Sequence, residues 1–320
     1  MLAFEDGFWK KEKLQRVACF NSNSIGRCSI SCVFVLVTQF ALSLVPRFFY
    51  ASSLLAQLAL SGFVLLLVVG LGRWFRRLVG VYASAPAFVF FSLLFVWGVY
   101  IVLVRQAIPR VMDFVFNAEM VFLVLGLYSI LSSNPGFVSC GSSQPDNLAE
   151  TDAFGVKADL EGTSLFKRVR YCKCCKAYVR GFDHHCPAFG NCIGQNNHVL
   201  FMVLVVGFLS TEASHVVMLS HILGRMQDVE FETNLAVCLV IGTRLFTLLQ
   251  VLWQVVFLAW HIYCICFNIK TDEWVNWKRY PEFQVTDQSQ PGENFTGVRF
   301  ANPYDKGIFQ NVKVFLRAEA

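Results

Sequence analysis

Residues 172–192 read CKCCKAYVRGFDHHCPAFGNC, and a long apolar run over 199–222 follows them. The window holds five of the chain's 12 cysteines and two of its six histidines. Soft ligands at this density, set between long apolar runs, describe a metal-bearing insert in a membrane protein.

Outside the window the chain is poor in charge. Charged residues make up 15% of it and hydrophobic residues 55%, whereas a soluble domain carries about 25% charged residues. Six runs approach the roughly 20 apolar residues that a helix needs to cross a bilayer. They cover 29–45, 52–71, 86–104, 112–132, 199–222 and about 245–267. The runs are continuously apolar rather than alternating, which argues for helices and against a β-barrel. The first is too long for a typical signal-peptide core and no small-residue cleavage pattern follows it, so it reads as an uncleaved span. The expected fold class is an all-α polytopic membrane protein of six transmembrane helices with a small zinc-stabilised cytosolic cysteine-rich domain.

Basic residues set the orientation. Of 27 Lys and Arg, 22 fall in residues 1–28, the loop after the second span, the segment between the fourth and fifth spans, and the tail. The positive-inside rule then places both termini and the cysteine window in the cytosol. The net charge of +5 suits anionic lipid headgroups or an acidic ligand and requires no nucleic acid. The organisation that follows is a cytosolic N-terminus (1–28), a first membrane block of four helices (29–132), a cytosolic insert (133–197) whose cysteine-rich domain covers about 165–197, a second membrane block of two helices (198–268) and a cytosolic tail (269–320). Residues 140–164 are rich in Ser, Gly, Asp and Glu and read as a linker. The tail mixes aromatics (Trp274, Trp277, Tyr280, Phe283) with charge and is expected in part along the membrane interface.

A cytosolic cysteine is a thiol or a metal ligand rather than half of a disulfide. Cys172, Cys175, His185 and Cys192 form Cys-x2-Cys-x9-His-x6-Cys, three sulfurs and one imidazole suited to structural zinc. Cys174 competes with Cys175 for the second place, in the less usual Cys-x-Cys spacing. Cys19, Cys28, Cys32, Cys238, Cys264 and Cys266 lie in or beside spans, where small apolar packing is the default and lipidation is the alternative near the inner face. If His185 and Cys192 serve the metal, Cys186 is a spare thiol with His184 as a candidate base and Asp183 as a candidate orienting acid. On spacing alone, Cys186 or His184 as a further metal ligand stays open. The insert reaches the membrane within about a dozen residues of Cys186, so the thiol is placed to meet a long acyl chain.

Asp183-His184-His185-Cys186 resembles the signature of the DHHC protein S-acyltransferases, or palmitoyltransferases. Further markers recur in order: Asn134-Pro135-Gly136, Asn191-Cys192-Ile193-Gly194 with Asn197, Thr271-Asp272-Glu273, and Asn302-Pro303-Tyr304-Asp305-Lys306-Gly307 followed by Asn311. The resemblance implies a two-step exchange in which Cys186 takes a fatty acyl group, palmitoyl, from acyl-CoA as a thioester and yields it to a client protein's cysteine. It implies His184 as the base and Asp183 as its orienter. It also implies zinc on Cys172, Cys175, His185 and Cys192. The family carries a second zinc, but here its His and Cys positions align with Tyr171 and Tyr178 and only Cys140 lies upstream in the insert, so one structural ion is expected. Other departures are Asn134 for Asp, Ala188 for Trp and Lys270 for Thr. No acyl-CoA-binding residue is fixed by the sequence, although Lys167, Arg168, Arg170 and Arg180 are candidates for the CoA phosphates. The expected partners are acyl-CoA, clients with cysteines near the membrane, and the bilayer of the Golgi, the ER or the plasma membrane.

Two other classes are weighed. A catalytically weak zinc-binding adaptor fits the altered Asn134, Ala188 and Lys270 but not the intact Asp183, His184 and Cys186. A metal transporter requires many ionisable residues in spans, and few occur: Glu119, Glu212, His215 and His261, with the polar Asn117 near the first. Glu212 and His215 read by default as a satisfied polar contact and His261 as interfacial packing.

Overall fold

The computed structural model describes residues 22–79, 83–138, 168–226, 234–286 and 298–317. Cys19, Cys140, Lys167, the 140–164 linker and most of the N-terminal basic segment lie outside them. The chain is mostly helical, and six of its helices are long and apolar enough to cross a membrane. They are α1 (Ser22–Phe48), α2 (Leu54–Val79), α3 (Ala85–Val99), α4 (Arg110–Ser132), α5 (His198–Met226) and α6 (Leu235–Cys266). A π-turn over Tyr100–Val104 and a 3-10 turn over Arg105–Ala107 extend α3. Pro86 sits in the first turn of α3, where its missing N–H is no loss. The sixth span, α6, starts at Leu235, ten residues ahead of the expected edge at about 245, next to Arg244. The stretch before Arg244 is itself apolar, and one charge does not end a helix whose backbone bonds are all internal.

The chain divides into two compact units, one of residues up to Val124 with Ser210–Leu252, the other of Leu125–Leu209 with Trp253–Ala320. In the first, small and polar residues join the helices. The Ser31 hydroxyl donates to the Ser84 carbonyl at 2.9 Å and accepts the Ser84 N–H at 2.8 Å. A Cβ on Gly242 of α6 would lie 3.0 Å from Ser43 Cα of α1, a close backbone approach of the kind small residues permit between apolar helices. Three of the polar residues noted within spans have side-chain partners in this unit. Asn117 accepts the Trp97 indole N–H at 2.9 Å. Glu119 accepts the hydroxyls of Ser210 and Ser214. His215 Nδ1 bonds Thr247 Oγ1 at 3.1 Å. Each contact is a local one between neighbouring helices, the pattern of a polar contact inside a span.

The second unit carries the cysteine window on short strands that composition did not suggest. A three-stranded sheet has the order β1 (Phe137–Val138), β3 (Ala177–Arg180), β2 (Val169–Cys172). A separate hairpin pairs β4 (His184–Cys186) with β5 (Asn191–Ile193). After α6 come α7 (Thr271–Asn276), a strand pair β6 (Gln284–Thr286) and β7 (Val298–Phe300), and α8 (Ile308–Arg317).

Asn134-Pro135-Gly136 fastens the end of α4 to these strands. Asn134 Oδ1 accepts the N–H groups of Gly136 and Phe137 at 2.9 and 3.0 Å. An asparagine therefore does here what a carboxylate would do as a turn acceptor. Gly136 takes φ +104° and its carbonyl accepts the Arg180 N–H at 2.8 Å. Gly194 faces the same turn, and a Cβ there would lie 2.3 Å from the Pro135 carbonyl oxygen and 2.6 Å from Val179 Cγ1. Gly194→Ala is expected to destabilise this unit by about 1–3 kcal/mol, read as a lower melting temperature of the detergent-solubilised chain. An unchanged melt would mean that the turn has slack.

Candidate metal and thiol centre

The four spaced ligands meet. Cys172 ends β2, Cys175 follows in the turn before β3, and His185 and Cys192 are directly paired across β4 and β5. One ligand atom from each lies within 4.8 Å of all the others. Cys192 Sγ is 3.3 Å from Cys175 Sγ, and His185 Nδ1 is 3.4 Å from Cys175 Sγ and 3.7 Å from Cys192 Sγ. The edges of a tetrahedron with Zn–S bonds of about 2.3 Å are of this order. The Cys175 N–H also points at Cys172 Sγ, at 3.4 Å. Cys174 is exposed and outside the group.

The protonation of the thiols tests whether a cation fits. The hydrogen bond from Cys192 holds the Cys175 thiol down, to about 5, against the opposing effect of burial. That same contact with Cys175, then burial, pushes the Cys192 thiol up. Burial pushes Cys172 up as well. Three sulfurs this close share protons when nothing else neutralises them. A dication lets all three be thiolates, so the donor set fits zinc.

Tyr171 and Tyr178, the positions where the resemblance would place ligands for another ion, are cross-strand partners in β2 and β3. Their rings lie 5.1 Å apart. An aromatic pair occupies that part of the sheet.

Strand geometry explains the order of the tetrapeptide. Successive side chains of a strand point to opposite faces. On β4, His185 therefore faces the metal cluster while His184 and Cys186 share the other face. Asp183 precedes the strand and is fully buried. Its Oδ2 lies 2.7 Å from His184 Nδ1, and its Oδ1 accepts the Thr271 N–H at 3.1 Å. Its own backbone bridges Ile193 and Asp272. Nδ1 of His184 is thereby committed to the carboxylate, which leaves Nε2 as the nitrogen able to exchange a proton. Burial raises the Asp183 carboxyl, but the His184 hydrogen bond and the neighbouring positive groups outweigh it and hold the group below the usual carboxylate range. Burial likewise works to lower the His184 imidazole, but its hydrogen bonds with Asp183 and Cys186 prevail and push it up to about 9. Cys186 is 6% exposed.

The remaining sequence markers support this hairpin. Asn191 Nδ2 donates to the Ile130 and Ser133 carbonyls at 2.9 and 3.0 Å, satisfying acceptors at the end of α4. Asn197 accepts the Gly194 N–H and donates to the Cys192 carbonyl. Asn311 donates to the Cys266 carbonyl at 2.8 Å and so ties α8 to the end of α6. Ala188 leaves the aromatic role to Phe189, whose ring lies 5.9 Å from Phe201 and 6.4 Å from Phe208.

Three residues matter in ways that spacing did not reveal. Arg168, considered for CoA phosphates, is held by protein groups. Its guanidinium donates to both Glu273 oxygens at 2.7 and 2.6 Å and to Asn268 Oδ1 and O at 2.7 Å, and it lies over the Tyr304 ring. Arg170 is likewise paired, with Glu282. Glu273 is 1% exposed, so Arg168→Ala strands a buried carboxylate. The expected cost is about 3–5 kcal/mol, measured by thermal melting. Arg168→Lys should recover only part of it, because an ammonium cannot fork across two oxygens. His198 and Lys270 are the other two. Lys270 is half-buried, with its Nζ 3.1 Å from His198 Nδ1, beside Asp183. The two lie 12 and 84 residues after Cys186, beyond any local motif.

Residues 164–278 match the family model described as DHHC palmitoyltransferase. Mouse palmitoyltransferase ZDHHC17 is 28% identical over 217 residues, 62% of this chain and 32% of that protein. Drosophila melanogaster palmitoyltransferase Hip14 is 30% identical over 158 residues, 47% of this chain and 23% of its own length. Human palmitoyltransferase ZDHHC18 is 30% identical over 109 residues, 33% of this chain and 28% of its own. The chain thus spans about a third or less of the length of these curated relatives. Residues 164–278, with their Asp183-His184-His185-Cys186 tetrapeptide, thus form a domain that matches the DHHC palmitoyltransferase model and is similar to these palmitoyltransferases.

Proposed function

We propose that this chain transfers a long-chain fatty acyl group, palmitoyl, from acyl-CoA to cysteine thiols of client proteins through a thioester on Cys186. The observation that carries the reading is the Asp183–His184 pair, 2.7 Å across, serving a thiol that lies outside the Cys3His cluster. The names of the matching relatives point the same way.

In the first step His184 Nε2 takes the proton from Cys186 Sγ. The thiolate attacks the acyl-CoA carbonyl carbon, the C–S bond to CoA breaks, and the departing CoA thiolate takes up a proton. In the second step a client thiolate attacks the acyl carbon and the bond to Cys186 breaks. Cys186 is then reprotonated. Asp183 fixes the His184 tautomer and stabilises the imidazolium formed in each half-reaction. One zinc would be held by Cys172, Cys175, His185 and Cys192; it would supply folding energy and tie β4 to β5. The exchange itself does not pass through it.

The distribution of basic residues supports a cytosolic site and cytosolic termini; the membrane would be that of the Golgi, the ER or the cell surface. Cys186 lies twelve residues before His198, the first residue of α5, which favours clients whose cysteines lie close to the bilayer. With Arg168 and Arg170 paired, the exposed Arg180 is the described candidate for the CoA phosphates.

The test is transfer. The full chain in detergent, given alkyne-palmitoyl-CoA and a cysteine-bearing acceptor peptide, should release CoA in step with hydroxylamine-sensitive label on the peptide. A zinc-binding adaptor would yield neither.

A further inference from the structure

Beside the His184 pair lies a second group of metal-competent side chains that the exchange does not use as ligands. Asp183, His198 and His261 each place one ligand atom within 4.8 Å of the others. They are 0, 3 and 1% exposed. His198 opens α5 and His261 lies on the last turns of α6, so two helices and the strand preceding segment converge here. His198 Nε2 and His261 Nδ1 are buried and have no hydrogen-bond partner. An unpaired buried nitrogen is costly in a folded interior, and two in one cluster mark a place where a ligand recovers the loss. Phe201 and Phe257 pack edge-on to His261 at 4.9 and 4.5 Å, which holds its ring in place. A cavity of about 410 Å³, lined in part by His198, Lys270 and Gln195, borders the cluster and offers a path for an ion.

Two imidazoles and one carboxylate form the donor set that borderline divalent transition ions accept, with positions left for water. The set differs in kind from the Cys3His cluster, whose thiolates make a closed structural site. Lys270 Nζ, 3.1 Å from His198, places a competing cation next to the ligands, so an ion here is held reversibly rather than as part of the fold.

We propose that Asp183, His198 and His261 form a second, reversible site for a divalent transition ion, zinc being the natural class, and that its occupation suppresses acyl transfer. The carboxylate that would ligate the ion is the one that orients His184. An ion drawing on its negative charge weakens the hold on the imidazole. The suppression rests on the acyl-transfer reading; the binding does not.

The experiment uses the full chain in detergent, loaded with its structural zinc, and Co2+ as the probe. One further equivalent of Co2+ is expected, with d–d bands and without thiolate-to-cobalt charge transfer. His261→Gln and His198→Gln should each lose that equivalent and keep the structural zinc, which serves as the check on folding. Added Zn2+ should lower wild-type autoacylation about 10-fold, the scale on which disturbing an orienting partner acts, and leave the His261→Gln rate where it was. Absence of the extra equivalent in the wild type, or its survival in both variants, overturns the site. Binding with unaltered autoacylation overturns the suppression. A wild type that never autoacylates, even before metal is added, is instead a failure of the acyl-transfer reading, and the spectra still decide the site.

Discussion

Cys186→Ser is expected to abolish hydroxylamine-sensitive acyl labelling of the chain while leaving its fold and its zinc in place. The substitution exchanges one atom for a slightly smaller one on β4, opposite Asn191, and removes no member of the metal cluster. What it removes is a nucleophile able to exist as an anion near neutral pH. An ester on the serine, were one to form slowly, resists the neutral hydroxylamine that cleaves a thioester. Asp183→Asn gives a graded comparison. Its side chain keeps the shape but presents an amide to His184 Nδ1 and favours the wrong tautomer, so labelling should slow by about 10²- to 10⁴-fold without vanishing. The measurement is in-gel fluorescence of alkyne-palmitate with and without hydroxylamine. Equal sensitive label on wild type and Cys186→Ser would place the acceptor on another cysteine. Loss of zinc from Cys186→Ser would make that sulfur a ligand rather than a carrier.

What the sequence disclosed follows the range of the interactions concerned. Membrane spans depend on the composition of one continuous run, so all six were legible, while their ends were not: α1 starts at Ser22 rather than 29, α2 runs to Val79 rather than 71 and α6 starts at Leu235 rather than about 245. The metal quartet was legible because Cys-x2-Cys and His-x6-Cys each fit one hairpin. The hairpins themselves were not, since strands of three or four residues carry no periodicity to read. Arg168 shows a different limit. As sequence it is one of several basic residues beside an anionic membrane, and its partners Asn268 and Glu273 lie 100 and 105 residues away. His261 likewise read as packing on a span. Its ring does pack, 5.7 Å from that of His184, and the same position puts a nitrogen in the Asp183 cluster. Asn134 departs from the family pattern, yet its amide oxygen accepts the two N–H groups that a carboxylate could accept. Lys270 departs further, because a half-buried amine faces His198 where a hydroxyl was expected.

Cys192→Ala should act through a different route and with the largest effect on stability. Cys192 is fully buried, lies opposite His185 in the β4–β5 hairpin, and has its sulfur 3.3 Å from that of Cys175. Without it, three ligands remain for an ion that needs four in a closed site. Structural zinc contributes on the order of 10–16 kcal/mol in small domains, which matches or exceeds the whole stability of a typical fold, about 5–15 kcal/mol. The hairpins around the ion have little apolar core to fall back on: Cys172, Val179, Phe182 and Cys192 itself, with Phe137 and Cys175 at the margin. Loss of zinc should therefore open the segment to protease, and autoacylation should fail because β4 no longer presents His184 and Cys186. Elemental analysis separates this failure from the chemical one. About one zinc per chain is expected in the wild type and in Cys186→Ser, and almost none in Cys192→Ala. A wild-type ratio near two without added metal would mean that another tight site exists. A wild type that labels fully with no zinc would show that hydrogen-bonded thiols hold the hairpins unaided, and that protein–protein contacts rather than an ion keep the nucleophile in position.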